Sequence, residues 1–130
     1  MKGIIVPGLN GSGPDHWQTF WEKKYGFERV EQRDWGNPDA TEWVATLDAA
    51  ILAHPDKVII VAHSLGCWAV IRWAAQYMDS KDRVQSALLV APPEIESSIS
   101  MPKSARSFAR HNMRKLPFLP SLWAAKLILI

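Results

Sequence analysis

Val58-Ile59-Ile60-Val61-Ala62-His63-Ser64-Leu65-Gly66 is the stretch that decides the fold. Four β-branched apolar residues in succession suit a strand buried on both faces, as at the centre of a parallel sheet. The next residues, with Trp68, Ile71, Ala75 and Met78 on one face, have helical spacing. A strand that runs into a helix through small-x-Ser-x-Gly is the pattern of a nucleophile elbow. That turn holds its serine in a strained, exposed backbone conformation and needs small residues two positions before and after it. Here they are Ala62 and Gly66; the usual first residue is glycine, and alanine is still small enough.

Working outward, Ile4-Ile5-Val6 predicts a strand closed by Pro7-Gly8 and a glycine-rich loop through Pro14. Asp15 is the expected N-cap of a helix with Trp17, Phe20 and Trp21 on its inward face, stopping at Tyr25-Gly26. Phe27 to Arg33 alternates weakly, as a strand. Asp39 or Thr41 caps a second helix with Trp43, Leu47, Ala50 and Ile51 on one face, ended by His54-Pro55-Asp56. Val84 to Ala91 is a further strand before Pro92-Pro93, and a short helix is expected near Ser104 to Met113. Strands alternating with helices of this length predict right-handed crossovers and a parallel sheet covered by helices on both faces, an α/β fold in one domain over residues 1–130.

A serine hydroxyl is a weak nucleophile at neutral pH and needs a base and donors for the developing oxyanion. The backbone N–H of Leu65, at the start of the helix, is one expected donor, aided by the helix dipole. The second is expected from the loop after the first strand, at Leu9.

Composition sets the frame. Of 130 residues, 48% are hydrophobic and 22% charged, which excludes wholesale disorder. A net charge of +2 leaves no electrostatic footprint for nucleic acid or a membrane surface. The single cysteine cannot close an internal disulfide, no signal peptide is visible, and no apolar run reaches the ~20 residues of a membrane span, so a cytoplasmic location is expected. No metal or cofactor is expected.

Several stretches together, Val6-Pro7-Gly8-Leu9-Asn10-Gly11-Ser12-Gly13, His16-Trp17-Gln18, Asp34-Trp35, Val61 to Cys67, Val90-Ala91-Pro92 and Leu116-Pro117-Phe118, resemble the small cap-less serine hydrolases similar to retinoblastoma-binding protein 9. The resemblance implies an α/β-hydrolase fold and a Ser-Asp-His triad acting on a small ester or other acyl substrate, with Ser64 as nucleophile. It runs to about Ser121. The aspartate and histidine turns, the last strand and its helix are not found after it, so a frameshift or premature stop, impaired activity and an open sheet edge are expected. The apolar residues Leu122 to Ile130 would add to that exposed surface. A non-catalytic degenerate homologue or partner-binding protein is the alternative.

Other residues have plainer expected roles. His63, next to the nucleophile, lines the pocket; His16 is structural or at the pocket edge; His54 serves a helix C-terminus, where a cation suits the dipole. His111 could only be a stand-in base. Glu94 and Glu96 are surface carboxylates, Cys67 packs against the sheet, and the tryptophans are core first. Arg106, Arg110, Arg114 and Lys115 form a solvated basic run.

Overall fold

The computed structural model describes residues 2–77, 80–95, 101–109 and 126–128. Five parallel strands form one sheet in the order β2-β1-β3-β4-β5: β1 (Lys2–Val6), β2 (Glu28–Arg29), β3 (Val58–His63), β4 (Val84–Val90) and β5 (Lys126–Ile128). Helices α1 (Trp17–Tyr25), α2 (Ala40–Leu52), α3 (Leu65–Gln76) and the single turn α4 (Ser80–Arg83) connect them. The α/β architecture and the parallel sheet match expectation.

β3 lies at the centre because it is apolar on both faces. It pairs with β1 over Lys2↔Val58 to Val6↔Ala62 and with β4 up to His63↔Val90. Its alternation divides the molecule. Val58, Ile60 and Ala62 face a core shared with Val44, Leu47 and Ile51 of α2 and Val70, Ile71 and Trp73 of α3. Full burial contributes about 1.5–3 kcal/mol for each of the large aliphatic side chains. Trp73 is completely buried and satisfies its indole N–H on Asp48 Oδ1 at 2.9 Å. A second cluster, around Trp43, Leu65 and Phe108, closes the carboxyl-end corner of this side.

On the opposite face α1 packs against β1, and it packs the other way round from the sequence expectation. Gln18 and Thr19 are buried, whereas Phe20 is 56% and Tyr25 52% exposed, with Trp21 at the surface beside them. Gln18 is inside because its amide is satisfied there: Nε2 donates to the carbonyls of Val61 (2.9 Å) and Val6 (3.3 Å), and Oε1 accepts from Ser12 Oγ at 2.6 Å. The cap of α1 is His16, not Asp15: its Nδ1 accepts the Gln18 N–H at 3.1 Å. Gly26 ends the helix in the left-handed conformation, as expected.

Other boundaries shift for similar reasons. Asp39 caps α2 through Oδ1 on the Glu42 N–H, so Thr41 is not the cap. In α3 Ile71 is buried and Trp68 half-buried, as expected, but Ala75 is exposed, and Cys67, Val70 and Ala74 complete the buried face; Met78 lies outside the described residues. The expected strand at 27–33 is only Glu28–Arg29. His54 turns its Nε2 to Glu28 at 2.9 Å rather than to the last carbonyls of α2. At the far edge β5 pairs with β4 from Leu88↔Lys126 to Val90↔Ile128, so part of the tail expected only to add exposed surface is the edge strand of the described sheet. The Ser104–Met113 helix is a 3₁₀ helix over Lys103–Phe108, and its later residues lie outside the described ones. No helix among the described residues is long and apolar enough to cross a membrane.

Candidate active site

Backbone strain gathers at one end of the sheet. Among the described residues the non-glycine positive φ values are at Asn10 (66°), Ser12 (50°), Ser64 (54°) and Ala91 (53°). They follow β1, β3 and β4 in turn, at the carboxyl ends of three adjacent parallel strands. In open α/β sheets the carboxyl edge is where ligands bind. Such conformations persist only where the surroundings hold them.

Ser64 sits between β3 and α3 with φ 54° and ψ −126°. Its N–H donates to Val90 O at 2.9 Å and its carbonyl accepts the Cys67 N–H at 3.0 Å. Both ends of the residue are thereby pinned while the side chain stands at the tip of the turn. Leu65 opens α3 and is fully buried as a side chain, so its backbone is fixed; no preceding helical turn is available to accept its N–H. Ala62 is fully buried between Val6 and Leu89 on the neighbouring strands. Gly66 lies against the carbonyls of Val6 and Pro7.

The β1–α1 loop meets the β3–α3 turn at Gly8. A Cβ there would lie 2.9 Å from His63 O and 3.0 Å from both Leu65 N and Ser64 Cβ. Leu9 is the next residue, half-buried, at the start of a 3₁₀ turn over Leu9–Gly11 in which the Gly11 N–H returns to Gly8 O at 3.1 Å. The structure thus brings Leu9, Ser64 and Leu65 into one neighbourhood, built from the two loops that leave β1 and β3.

Two imidazoles adjoin the β3–α3 turn. The His16 and His63 rings meet edge to face with centroids 4.6 Å apart, and Trp17 lies against His63 at 5.9 Å. Both are held below the ordinary pKa of 6.5. For His16 the cause is burial, then the positive charge of Arg29; for His63 it is burial, then His16. The Gln18 N–H on Nδ1 of His16 leaves the proton of the neutral ring on Nε2. Cys67 is fully buried, its thiol donates to Val90 O at 3.3 Å, and burial pushes its pKa up to about 12. Glu94 is exposed, while Glu96 and His111 lie outside the described residues.

Two residues at this end were not singled out from sequence. Gln18 falls in the His16-Trp17-Gln18 stretch, which the resemblance marked without a role. Arg29 had no signal at all, being one charged residue in a weak strand pattern.

The family model for serine hydrolases matches residues 3–126. Among solved structures, a protein described as a YdeN-like hydrolase from Pectobacterium atrosepticum is 31% identical with a TM-score of 0.65, over 72% of this chain and 49% of its own. The ydeN gene product of B. subtilis is 23% identical with a TM-score of 0.52, over 71% of this chain and 52% of its own, a likeness of fold. The chain spans about half the length of these two proteins. A comparison with curated proteins gives no significant match.

Proposed function

The chain belongs to the serine hydrolase family, and from that premise we propose that it cleaves a small ester or related acyl substrate with Ser64 as nucleophile. The observation that carries this reading is the conformation of Ser64, φ 54° and ψ −126° at a strand-to-helix turn, among the strained turns that follow three neighbouring strands. A serine held there for stability alone has no reason to be a serine.

In the proposed chemistry Ser64 Oγ attacks the acyl carbon and loses its proton to a base. The carbonyl oxygen becomes an oxyanion received by the N–H groups of Leu9 and Leu65. Collapse expels the alcohol, which takes up a proton, and water then releases the acid from the acyl-serine. Removing one such donor typically costs about 10²–10³-fold in rate. Ala62 and Gly66 serve this arrangement by letting β1, β3 and α3 approach closely. Neither adjacent imidazole is set up as the base: neutral His16 carries its proton on Nε2 and its free pair on Nδ1 is already used. The His63 side chain alternates onto the α1 face with Val61, where its ring packs against His16 and Trp17.

A second reading, a homologue that binds a partner without turnover, draws support from the aromatic surface of α1, where Phe20, Trp21 and Tyr25 stand exposed. Fluorophosphonate labelling separates the two. The hydrolase reading expects covalent labelling that is lost in Ser64→Ala; equal labelling of both proteins, or none of either, removes it.

A further inference from the structure

We propose that Arg29 is a positioning residue for the loop that carries Leu9, an inference that rests on the oxyanion role proposed above. The loop contains three successive left-handed residues, Asn10 (66°), Gly11 (79°) and Ser12 (50°), of which only one is a glycine. Its own backbone bonds are few: Gly11 N–H to Gly8 O at 3.1 Å, and Asn10 N–H to Trp35 O at 3.3 Å. The His16 N–H also closes onto Gly13 O at 3.0 Å and Ser12 Oγ onto Gln18 Oε1, but the carbonyl of Gly11 is held by the guanidinium of Arg29. Nη1 donates to the carbonyls of both Gly11 and Ser12, and Nη2 to Thr19 Oγ1 at 2.8 Å. Thr19 Oγ1 in turn lies 3.0 Å from the carbonyl of Ser12 and 2.7 Å from that of Gly13, and shares its single proton between them. Nε is held by Glu22 Oε2 at 2.9 Å, and the Arg29 side chain is only 12% exposed.

This accounts for β2, a two-residue strand that adds little to the sheet. Its pairing with β1 sets Arg29 beside Ile5, so that the side chain reaches the turn just beyond the end of β1. A planar fork of donors can hold two consecutive carbonyls and a hydroxyl at once, which a lysine ammonium cannot do with the same geometry. Leu9 stands between the segment so held and Gly8, which is pressed against Ser64 and Leu65. Releasing Gly11 and Ser12 therefore lets the Leu9 N–H drift relative to Ser64.

The test uses the intact chain and two readouts, the rate of fluorophosphonate labelling at Ser64 and amide hydrogen exchange. Displacing an aligned group by about 1 Å costs on the order of 100-fold, so Arg29→Gln is expected to slow labelling by about that factor. Arg29→Lys, which keeps the charge, is expected to recover only part of the rate. Exchange should quicken at Leu9 to Ser12 and stay unchanged in β3. Glu22→Gln removes the ion pair but not the loop contacts, and should label at nearly the wild-type rate. Should Arg29→Gln disturb β3 as well, Arg29→Lys carries the test. Wild-type labelling in Arg29→Lys, or loop exchange unaltered in a folded Arg29→Gln, overturns the assignment. If the wild type labels no better than Ser64→Ala, the hydrolase reading itself fails and the Arg29 role falls with it.

Discussion

Gly66 faces the carbonyl oxygens of Val6 and Pro7 with no room for a side chain: a Cβ on residue 66 would run into Val6 O and lie 2.7 Å from Pro7 O. Both obstacles are backbone, in the strand and loop that lead to Leu9, so they cannot swing aside as a flexible side chain would. Gly66→Ala is expected to destabilise the protein by about 1–3 kcal/mol through overpacking. Gly13→Ala, where nothing lies within 4 Å, should change stability little. Urea denaturation of the two variants measures the contrast, and equal midpoints would contradict the packing argument.

Ser64 is left-handed without being a glycine. Its positive φ stores strain of order 1–3 kcal/mol that a glycine would not carry. Ser64→Gly is expected to gain stability over Ser64→Ala by about 1 kcal/mol while both lose fluorophosphonate labelling. Identical melting of the two variants would mean that the backbone at this position is relaxed.

Much of this end of the molecule was legible in the sequence, for physical reasons that differ from residue to residue. β3 and the turn after it stand out because burial on both faces demands an unbroken β-branched run, and because the close approach at Gly66 tolerates no side chain. Helix α1 was legible in extent but not in orientation. Periodicity marks two opposite faces equally, and polarity alone assigned Trp17, Phe20 and Trp21 to the inside. Gln18 reverses that choice through carbonyls of Val6 and Val61, the second of which is 43 positions away in the chain. Arg29 was invisible for the same reason: its acceptors at Gly11, Ser12 and Thr19 are set by tertiary structure. His54 misled because helix ends suit cations in general, whereas Glu28 offers it a specific carboxylate.

Acid should weaken the fold through the paired imidazoles. His16 and His63 both have pKa values below 6.5 in the folded chain, so the unfolded chain binds protons more readily between those values and 6.5. Stability is therefore full above about pH 6.5 and declines as the pH drops through the window below it. His16→Asn keeps an acceptor for the Gln18 N–H at the N-cap but removes one titrating ring. Its melting temperature should fall less between pH 7 and pH 5 than that of the wild type. A parallel fall in the two proteins would count against the His16 contribution.

Cys67 should be chemically silent. With its pKa pushed up to about 12 and its side chain fully buried, almost no thiolate forms near neutrality. Native protein at pH 8 is expected to resist iodoacetamide and to be alkylated at Cys67 only after unfolding in guanidinium chloride. Rapid alkylation of the native protein would mean that the start of α3 opens locally.

The placement of β1 has a consequence for synthesis. Its longer partner begins at Val58, 56 positions after Lys2, and its short one at Glu28. A ribosome delivers β1 first, yet the strand cannot complete its ladder until β3 has left the exit tunnel. For that interval Ile4, Ile5 and Val6, all buried in the finished protein, belong to an apolar segment with only the two-residue β2 to pair with. Closing the loop from β1 to β3 before their ladder rewards it makes that pairing slow. The window in which a chaperone has something to hold is thus set by the distance along the chain from β1 to β3.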